Sequence, residues 1–170
     1  ARLVQPGETP HDVLAALAKR LGAPAVRAAT RAAMRLMGHH FVLGETIAGA
    51  LQRAGCEGSA HQRYSFDMLG EGARTAGAAQ RYFTAYAQAI DAIGRAAGPS
   101  ALPARPGISV KLSALHPRFE PVNRARVLAE LVPRVMKLAR AAKAYQLNLT
   151  IDAEEAHRLE LTLDVFGAVL

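Results

Sequence analysis

Ile108-Ser-Val-Lys-Leu-Ser113 alternates apolar with polar residues along its whole length. Two further stretches repeat this alternation, Arg63-Tyr-Ser-Phe-Asp-Met-Leu69 and Leu147-Asn-Leu-Thr-Ile-Asp152. Successive side chains of a β-strand point to opposite faces of a sheet. The pattern therefore predicts three strands, each with one apolar face and one polar face.

The polar face of each predicted strand carries a charged residue toward its C-terminal end: Asp67, Lys111 and Asp152. If the strands lie side by side, these three side chains cluster at one edge of the sheet. A lysine turned inward is costly unless carboxylates or an anionic ligand accompany it, so the two aspartates are its expected partners. The residues alone leave three roles open for Lys111: a structural ion pair, a site for a substrate carboxylate or phosphate, and a Schiff-base lysine.

Long helical patterns separate the strands, at about residues 73–97 and 124–145 and from about residue 155 onward. Asn123 is the predicted cap of the second helix, and Pro133 predicts a kink or a break inside it. Strands joined by such helices are parallel, with right-handed crossovers. Central strands of an open, doubly wound sheet are apolar on both faces, so one polar face favours a closed barrel. The predicted fold class is α/β, a partial (βα)8 barrel comprising the first three βα units.

The first 55 residues predict a helical segment in front of this barrel. Its three helices are expected between Thr9 and Gly22, from Pro24 to Met37 with an end at Gly38, and from Glu45 to Ala54. We therefore divide the chain into a helical segment, residues 1–55, and an incomplete barrel, residues 56–170. Eight βα units of this length would need well over about 300 residues. Because the chain has 170, we expect it to be part of a longer protein.

Composition narrows the function classes. The net charge is +7, but the arginines are dispersed, aromatic residues make up 5% and tryptophan is absent, so nucleic-acid binding through this segment is not favoured. No apolar run approaches the roughly 18 residues that a membrane span needs, and no signal peptide is evident. The lone Cys56 cannot form an internal disulfide, which fits a reducing cytoplasm. We expect a soluble, cytoplasmic protein.

Barrel active sites lie at the C-terminal ends of the strands and in the loops that follow them. This rule adds further polar residues to the candidate rim: Glu71, Ser113, His116, Glu154 and Glu155. An acidic group around Asp152 could bind a divalent metal with His116 or His157, but acids at the start of a helix more often face solvent. No metal is predicted, and His39, His40 and His61 lack ligand spacing.

Several stretches resemble the proline dehydrogenase domain of the proline utilization A (PutA) family of bifunctional flavoenzymes. They occur in family order: Met34-Arg-Leu-Met-Gly38, Gly44-Glu-Thr-Ile47, Arg63-Tyr-Ser-Phe-Asp-Met-Leu-Gly-Glu71, Gly107-Ile-Ser-Val-Lys-Leu-Ser-Ala-Leu-His-Pro-Arg118 and Ile151-Asp-Ala-Glu-Glu-Ala-His-Arg-Leu-Glu160. The resemblance covers about residues 24–170. It implies a distorted (βα)8 barrel that holds FAD and oxidises L-proline to pyrroline-5-carboxylate, with a membrane quinone reoxidising the flavin.

The resemblance also implies residue roles. Lys111 would pair with the proline carboxylate, and Asp67 would shape the pocket and hold Lys111. Asp152 would lie beside both flavin and substrate, with Ala153 against the cofactor. Glu71 would form a gating ion pair with an arginine from a late helix of the barrel. The later strands, the NAD-dependent aldehyde dehydrogenase domain and any DNA-binding segment of the family are absent from this sequence, so we expect these 170 residues alone to be inactive.

The family further implies peripheral association of the longer enzyme with the inner membrane, and a homo-oligomer is one arrangement left open. Two alternatives remain: a basic helical module that binds nucleic acid or a partner protein, and a different barrel enzyme in which Lys111 forms a Schiff base.

Overall fold

Three parallel strands form one sheet in the computed structural model, which describes residues 9–57 and 62–170. They are β1 (Ser65–Asp67), β2 (Gly107–Val110) and β3 (Asn148–Ile151), in the sheet order β1-β2-β3. In the register of the sheet, Asp67 lies opposite Ser109 and Val110 opposite Ile151. The parallel pairing of the three predicted strands is confirmed, although each strand is shorter than its alternating pattern.

The second strand ends earlier than predicted. β2 stops at Val110, and Lys111 is the N-terminal cap residue of a short helix, α5 (Leu112–Leu115). The prediction that the strand continues to Ser113 is therefore wrong. The backbone N–H of Lys111 donates to the hydroxyl of Tyr86 at 3.2 Å and not to a neighbouring strand, which lets the chain turn away from the sheet.

Three longer helices follow the strands: α4 (Ala76–Ala96), α6 (Arg124–Ala144) and α7 (Leu159–Val169). α4 begins at Thr75, whose hydroxyl accepts a hydrogen bond from the N–H of Ala78 at 3.0 Å. Asn123 occupies the N-cap position of α6 as predicted, but its side chain makes no capping hydrogen bond, and a 3-10 turn, Pro121–Asn123, leads into the helix.

Helix α6 continues without a break through Pro133, so the predicted break is wrong. Proline removes the bond that residue 133 would donate to the carbonyl of Ala129. Both residues lie on the exposed side of the helix. Water can therefore satisfy the free carbonyl, and the lost hydrogen bond leaves no unpaired group in the core.

The hydrophobic core lies between the sheet and helices α4 and α6, which pack against each other and against β2 and β3. Its fully buried side chains include residues of α4, β2 and α6: Tyr86, Ile90, Ile93, Ile108, Val110, Leu131, Val135 and Leu138. Apolar side chains of β1 and β2 enter this core, while Ser65 and Asp67 of β1 remain exposed. The alternation of the sequence thus separates an apolar face of the sheet from a polar one.

The chain falls into two compact units, Ala1–Glu45 and Thr46–Leu170. In the first unit, α1 (Pro10–Leu21) and α2 (Ala23–Phe41) pack against each other. In the second, α3 (Ile47–Glu57) packs against α4. The structural division thus lies earlier in the chain than the predicted boundary at residues 55 and 56, because α3 groups with the sheet.

In the N-terminal helices, capping residues and glycines predict some helix ends correctly and others incorrectly. The hydroxyl of Thr9 accepts from the N–H of Asp12 at 3.3 Å, and the Asp12 carboxylate accepts from the N–H of Thr9 at 2.9 Å, which starts α1 as predicted. The predicted end of the second helix at Gly38 is wrong, since α2 extends to Phe41. The predicted bounds of the third helix, Glu45 to Ala54, are also wrong, since α3 begins at Ile47 and runs through Gly55 to Glu57. Within the described residues, no helix has both the length and the apolar character that a membrane crossing requires.

Candidate functional site

The charged residues that end the three strands meet at one edge of the sheet. The Nζ atom of Lys111 lies 2.8 and 2.7 Å from the two carboxylate oxygens of Asp67, and 2.8 Å from Oδ2 of Asp152. A lysine ammonium has three N–H donors. Asp67 and Asp152 therefore share the ammonium of Lys111, and each of its three N–H donors has a carboxylate acceptor.

The parallel register explains why these side chains meet. Asp67 is the last residue of β1, while Lys111 and Asp152 directly follow β2 and β3. Ser109, on the polar side of β2, donates its hydroxyl to Oδ1 of Asp152. The predicted cluster of the three charged residues is confirmed as a structural fact.

At this cluster, burial and the neighbouring charges shift the pKa values of Lys111 and Asp152 in opposite directions. Burial disfavours the ammonium of Lys111, but the carboxylates of Asp152 and Asp67 outweigh it and raise the pKa of Lys111 above its usual range. Burial also opposes ionisation of Asp152, yet hydrogen bonds from Lys111 and Ser109 hold its pKa below the usual value. The cluster thus contains a lysine that stays protonated and an aspartate that stays ionised at neutral pH.

Sequence reasoning missed Tyr86, which sits in the middle of α4 and is fully buried. Its hydroxyl accepts the backbone N–H of Lys111, and burial raises the pKa of that hydroxyl. The contact fixes the backbone at the point where the lysine leaves the sheet. Nothing in the helical pattern of residues 76–96 distinguishes this tyrosine from an ordinary core aromatic residue.

An open cavity of about 390 Å³ lies beside the cluster. Residues from the loops after the three strands line it: Glu71, Lys111, Asp152, Ala153, Glu154 and Glu155. Asp67 does not line this cavity and approaches Lys111 from another side. Glu71 is exposed and has no ion-pair partner among residues 9–57 and 62–170. The cavity therefore carries more negative than positive charge.

The two glutamates after β3 differ in their surroundings. Glu155 is 58% exposed and pairs with Arg158 at 2.9 Å, as a helix-start acid should. The Glu154 side chain is only 7% exposed, so the expectation that it faces solvent is wrong. One of its carboxylate oxygens accepts the backbone N–H of Ser113 at 2.9 Å, and the other lies 3.8 Å from Arg158.

The candidate histidines lie apart from the cavity lining. His116 is buried: its Nδ1 accepts the N–H of Arg118 at 3.1 Å, so Nε2 carries the hydrogen and donates to Glu130 at 3.2 Å. His157 lies 3.7 Å from Glu120. His61 falls outside the described residues. In the part of the chain that the structure describes, no three His, Cys, Asp or Glu side chains are grouped to hold a metal ion.

Two family models match the chain. The model described as "Proline dehydrogenase" matches residues 50–170. The model described as "DNA-binding domain of Proline dehydrogenase" matches residues 1–41. The expectation that the family's DNA-binding segment is absent from this sequence is therefore wrong, since residues 1–41 match the model of that segment.

Curated relatives and solved structures agree with the first match. The "Bifunctional protein PutA" of Salmonella typhimurium is 51% identical over 144 residues, which are 85% of this chain and 11% of the relative. The protein of the same name from Escherichia coli K12 is 50% identical with the same coverage. A crystal structure of a mutant Bradyrhizobium japonicum Proline Utilization A (PutA) is 68% identical, covers 99% of this chain and 17% of its own, and superimposes with a TM-score of 0.72.

This chain therefore spans about 11% of the length of these curated relatives. The proline dehydrogenase model accounts for residues 50–170, which include all three strands and the whole charged cluster. The chain belongs to the proline dehydrogenase family.

Proposed function

We propose that this chain supplies one wall of the active site of a flavin-dependent proline dehydrogenase, which oxidises L-proline to pyrroline-5-carboxylate. The observation that carries the proposal is the Asp67–Lys111–Asp152 cluster beside an open cavity, within the residues that match the proline dehydrogenase model. A permanently charged lysine at such a place suits a substrate that carries a carboxylate.

Lys111 binds the proline carboxylate in this proposal. Its raised pKa keeps the ammonium charged, and a charged lysine cannot act as the nucleophile of a Schiff base. The same observation thus argues against the alternative of a Schiff-base barrel enzyme. Asp67 holds Lys111 from outside the cavity, while Asp152 holds it from within.

The residues around Asp152 fit a flavin. Ala153 is exposed and lines the cavity, so its small side chain leaves room for a flat ring to approach. Asp152 and Ala153 would hold the cofactor, and a bound flavin would supply the acceptor for the hydride that leaves the proline ring. The protein's task is to clamp the substrate carboxylate through Lys111, so that the ring has one fixed orientation.

Glu71 completes the proposed site as a gating residue. Its carboxylate lines the cavity and has no ion-pair partner among the described residues. An arginine from outside residues 9–57 and 62–170 would therefore complete the gating pair that the family resemblance implies.

We infer that the three strands are the first three of a (βα)8 barrel. Their order in the sheet follows their order in the chain, as in a barrel, and polar residues occupy the side of the sheet away from α4 and α6. The resemblance extends the proposal to quinone as electron acceptor, to NAD use by a separate aldehyde dehydrogenase domain, and to a cytoplasmic enzyme with peripheral membrane contact. A homo-oligomeric enzyme is compatible with this proposal.

A chimera tests the proposed function. The matching segment of the Salmonella typhimurium relative is replaced by this chain, and proline-dependent flavin bleaching and reduction of a soluble quinone are measured. We expect turnover, and Lys111→Met should lower kcat/KM by about tenfold to a hundredfold, because a charge-assisted hydrogen bond to the substrate is lost.

Lys137→Met is the matched control, since Lys137 is exposed on α6 and lies outside the cavity lining. Full activity of the Lys111→Met chimera would contradict the assigned role, and a folded, flavin-loaded chimera that ignores proline would contradict the proposed function.

One observation favours a second function for the first unit. Arg27, Arg31 and Arg35 are exposed at one-turn spacing on α2, which has no acidic residue, and residues 1–41 match the DNA-binding model. If these arginines bind phosphates, affinity of the chain for duplex DNA should fall steeply with salt, and Arg31→Gln should reduce the slope by about one. Weak binding without salt dependence would exclude this function.

A further inference from the structure

Ser113 uses all of its polar groups on the two neighbouring loops of the site. Its hydroxyl accepts the N–H of Gly72 at 3.1 Å, and its carbonyl accepts the N–H of Ala73 at 2.8 Å. Its own N–H donates to the Glu154 carboxylate at 2.9 Å. The residue is 3% exposed. A buried serine with three outward bonds to two loops is thus the junction between them.

The two loops carry opposite parts of the cavity wall. The loop after β1 brings Glu71, which directly precedes Gly72, and the loop after β3 brings Asp152, Ala153 and Glu154. Ser113 lies in the loop after β2, in the short helix α5. All three loops are therefore tied together at a point just behind the cavity.

Two contacts fix the loop after β1: the backbone of Gly70 lies against the ring of Tyr82, and the next residues are bonded to Ser113. Glu71 has no ion-pair partner among the described residues, and Gly72 has φ +63 and is exposed. The N–H groups of Gly72 and Ala73 both point to Ser113. Of these two contacts, only Ser113 also bonds to the loop after β3, so it is the residue that sets the position of the Glu71 loop relative to Asp152.

We propose that Ser113 is a positioning residue, which sets the separation between the Glu71 loop and the Asp152–Glu154 loop and thereby the width of the substrate site. This inference rests on the proposed function for its kinetic consequence, whereas its structural part stands on the hydrogen bonds alone. Ser113 touches neither Lys111 nor the carboxylate of Asp152 through its side chain, so it acts through the loops.

The position of Ser113 predicts a particular kinetic signature. Lys111 and Asp152 are held by Asp67, Ser109 and each other, and these contacts remain when the Ser113 hydroxyl is removed. The groups at the reacting ring should therefore keep their arrangement. The opposite wall loses the hydrogen bond between Gly72 and the hydroxyl, and it keeps the backbone bond between Ala73 and residue 113. Substrate affinity should change more than the chemical step.

The experiment measures Ser113→Ala in two settings. In this chain alone, amide hydrogen exchange of Gly72 should accelerate by about fivefold, because its N–H loses its acceptor and is already accessible to water. In the chimera described above, KM for proline should rise about three- to tenfold with kcat within about twofold of the parent chimera. Ser113→Cys, with its weaker sulfur acceptor, should fall between Ser and Ala and provides a second variant if Ser113→Ala does not fold.

Thr84→Ala is the control, because Thr84 is an exposed hydroxyl residue of α4 outside the site. Unchanged exchange at Gly72, or a drop of kcat with KM unaltered, would overturn the positioning role. An inactive parent chimera would count against the proposed function, and the exchange measurement would still decide whether Ser113 holds the loop.

Discussion

At the scale of single residues, Lys111 has no N–H donor to spare. Asp67 occupies two of its donors with both carboxylate oxygens, and Asp152 occupies the third. The Asp67 side chain is 44% exposed, while that of Asp152 is 25% exposed and also accepts from Ser109. A substrate carboxylate must therefore compete for Lys111, and Asp67 is the partner that water can more readily replace.

Replacement of Asp67 by Asn should consequently tighten binding of a carboxylate ligand. The change removes one negative charge and one of the two competing oxygens, while Asp152 still holds the lysine. In the chimera, KM for proline should fall by about two- to fivefold, the effect of a partly exposed charge. Steady-state kinetics at several salt concentrations measure it, and the gain should shrink as salt rises.

Asp91→Asn serves as the control for that measurement, because Asp91 pairs with Arg95 and Tyr145 at a distance from the cavity. A KM that rises for Asp67→Asn would show that Asp67 mainly orients Lys111 and does not compete with the ligand.

The sequence predicted the charged cluster because the alternation of apolar and polar residues identifies the strands, and parallel pairing then brings the ends of the strands together. Asp67, Lys111 and Asp152 each lie next to a strand end, so register alone brings them together. It could not predict the partners of Ser113 and Glu154, because these bonds depend on how three loops fold back behind the sheet. Tyr86 escaped notice for the same reason: one turn of α4 happens to face the start of α5.

At the scale of secondary-structure elements, α4 packs closely against the C-terminal end of α6. Gly94 of α4 is buried, and a Cβ atom placed there would collide with the ring of Tyr145. That ring is held in place by a 2.6 Å hydrogen bond from its hydroxyl to Asp91. Tyr145 ends α6 shortly before β3, so this contact ties two helices to the start of a strand.

Gly94→Ala should therefore destabilise the second unit by roughly 1–3 kcal/mol, the usual range for overpacking a core. Urea denaturation followed by circular dichroism measures the change in the free energy of unfolding. Gly77→Ala is the matched control on the same helix: nothing lies within 3.8 Å of the added carbon, so it should be neutral or stabilise by up to about 1 kcal/mol. Equal stability of both variants would contradict the packing account.

Helix ends show where local signals are reliable. Thr9 and Asp12 marked a true start, because their side chains bond the adjacent backbone. Gly38 and Pro133 did not mark ends, since a single unfavourable residue costs less than the helix gains by continuing, and the carbonyl freed by Pro133 is on the exposed side. Helix propensity thus predicts that these helices exist more reliably than it predicts the residues at which they begin and end.

At the scale of the whole molecule, the sheet of the second unit has two outer edges that no strand pairs within residues 9–57 and 62–170. Helix α7, which follows β3 and packs against α6, carries a stripe of exposed apolar side chains at helical spacing, and one more lies at its C-terminal cap: Leu159, Leu163, Phe166 and Leu170. Unpaired strand edges next to exposed apolar side chains favour pairing with another chain. In a closed barrel the next βα unit would cover both features.

The isolated 170-residue chain should therefore self-associate through this face. Leu163, which is 57% exposed in the middle of the stripe, should contribute enough apolar area that Leu163→Lys weakens association by about tenfold or more. Light scattering coupled to size-exclusion chromatography over a range of concentrations measures this. Leu69→Lys is the control, since Leu69 is 78% exposed and follows β1, the strand at the opposite edge of the sheet from β3, and it should associate like the parent chain. A parent chain that stays monomeric at all concentrations, or a Leu69→Lys variant that dissociates equally, would show that the α7 face does not drive the assembly.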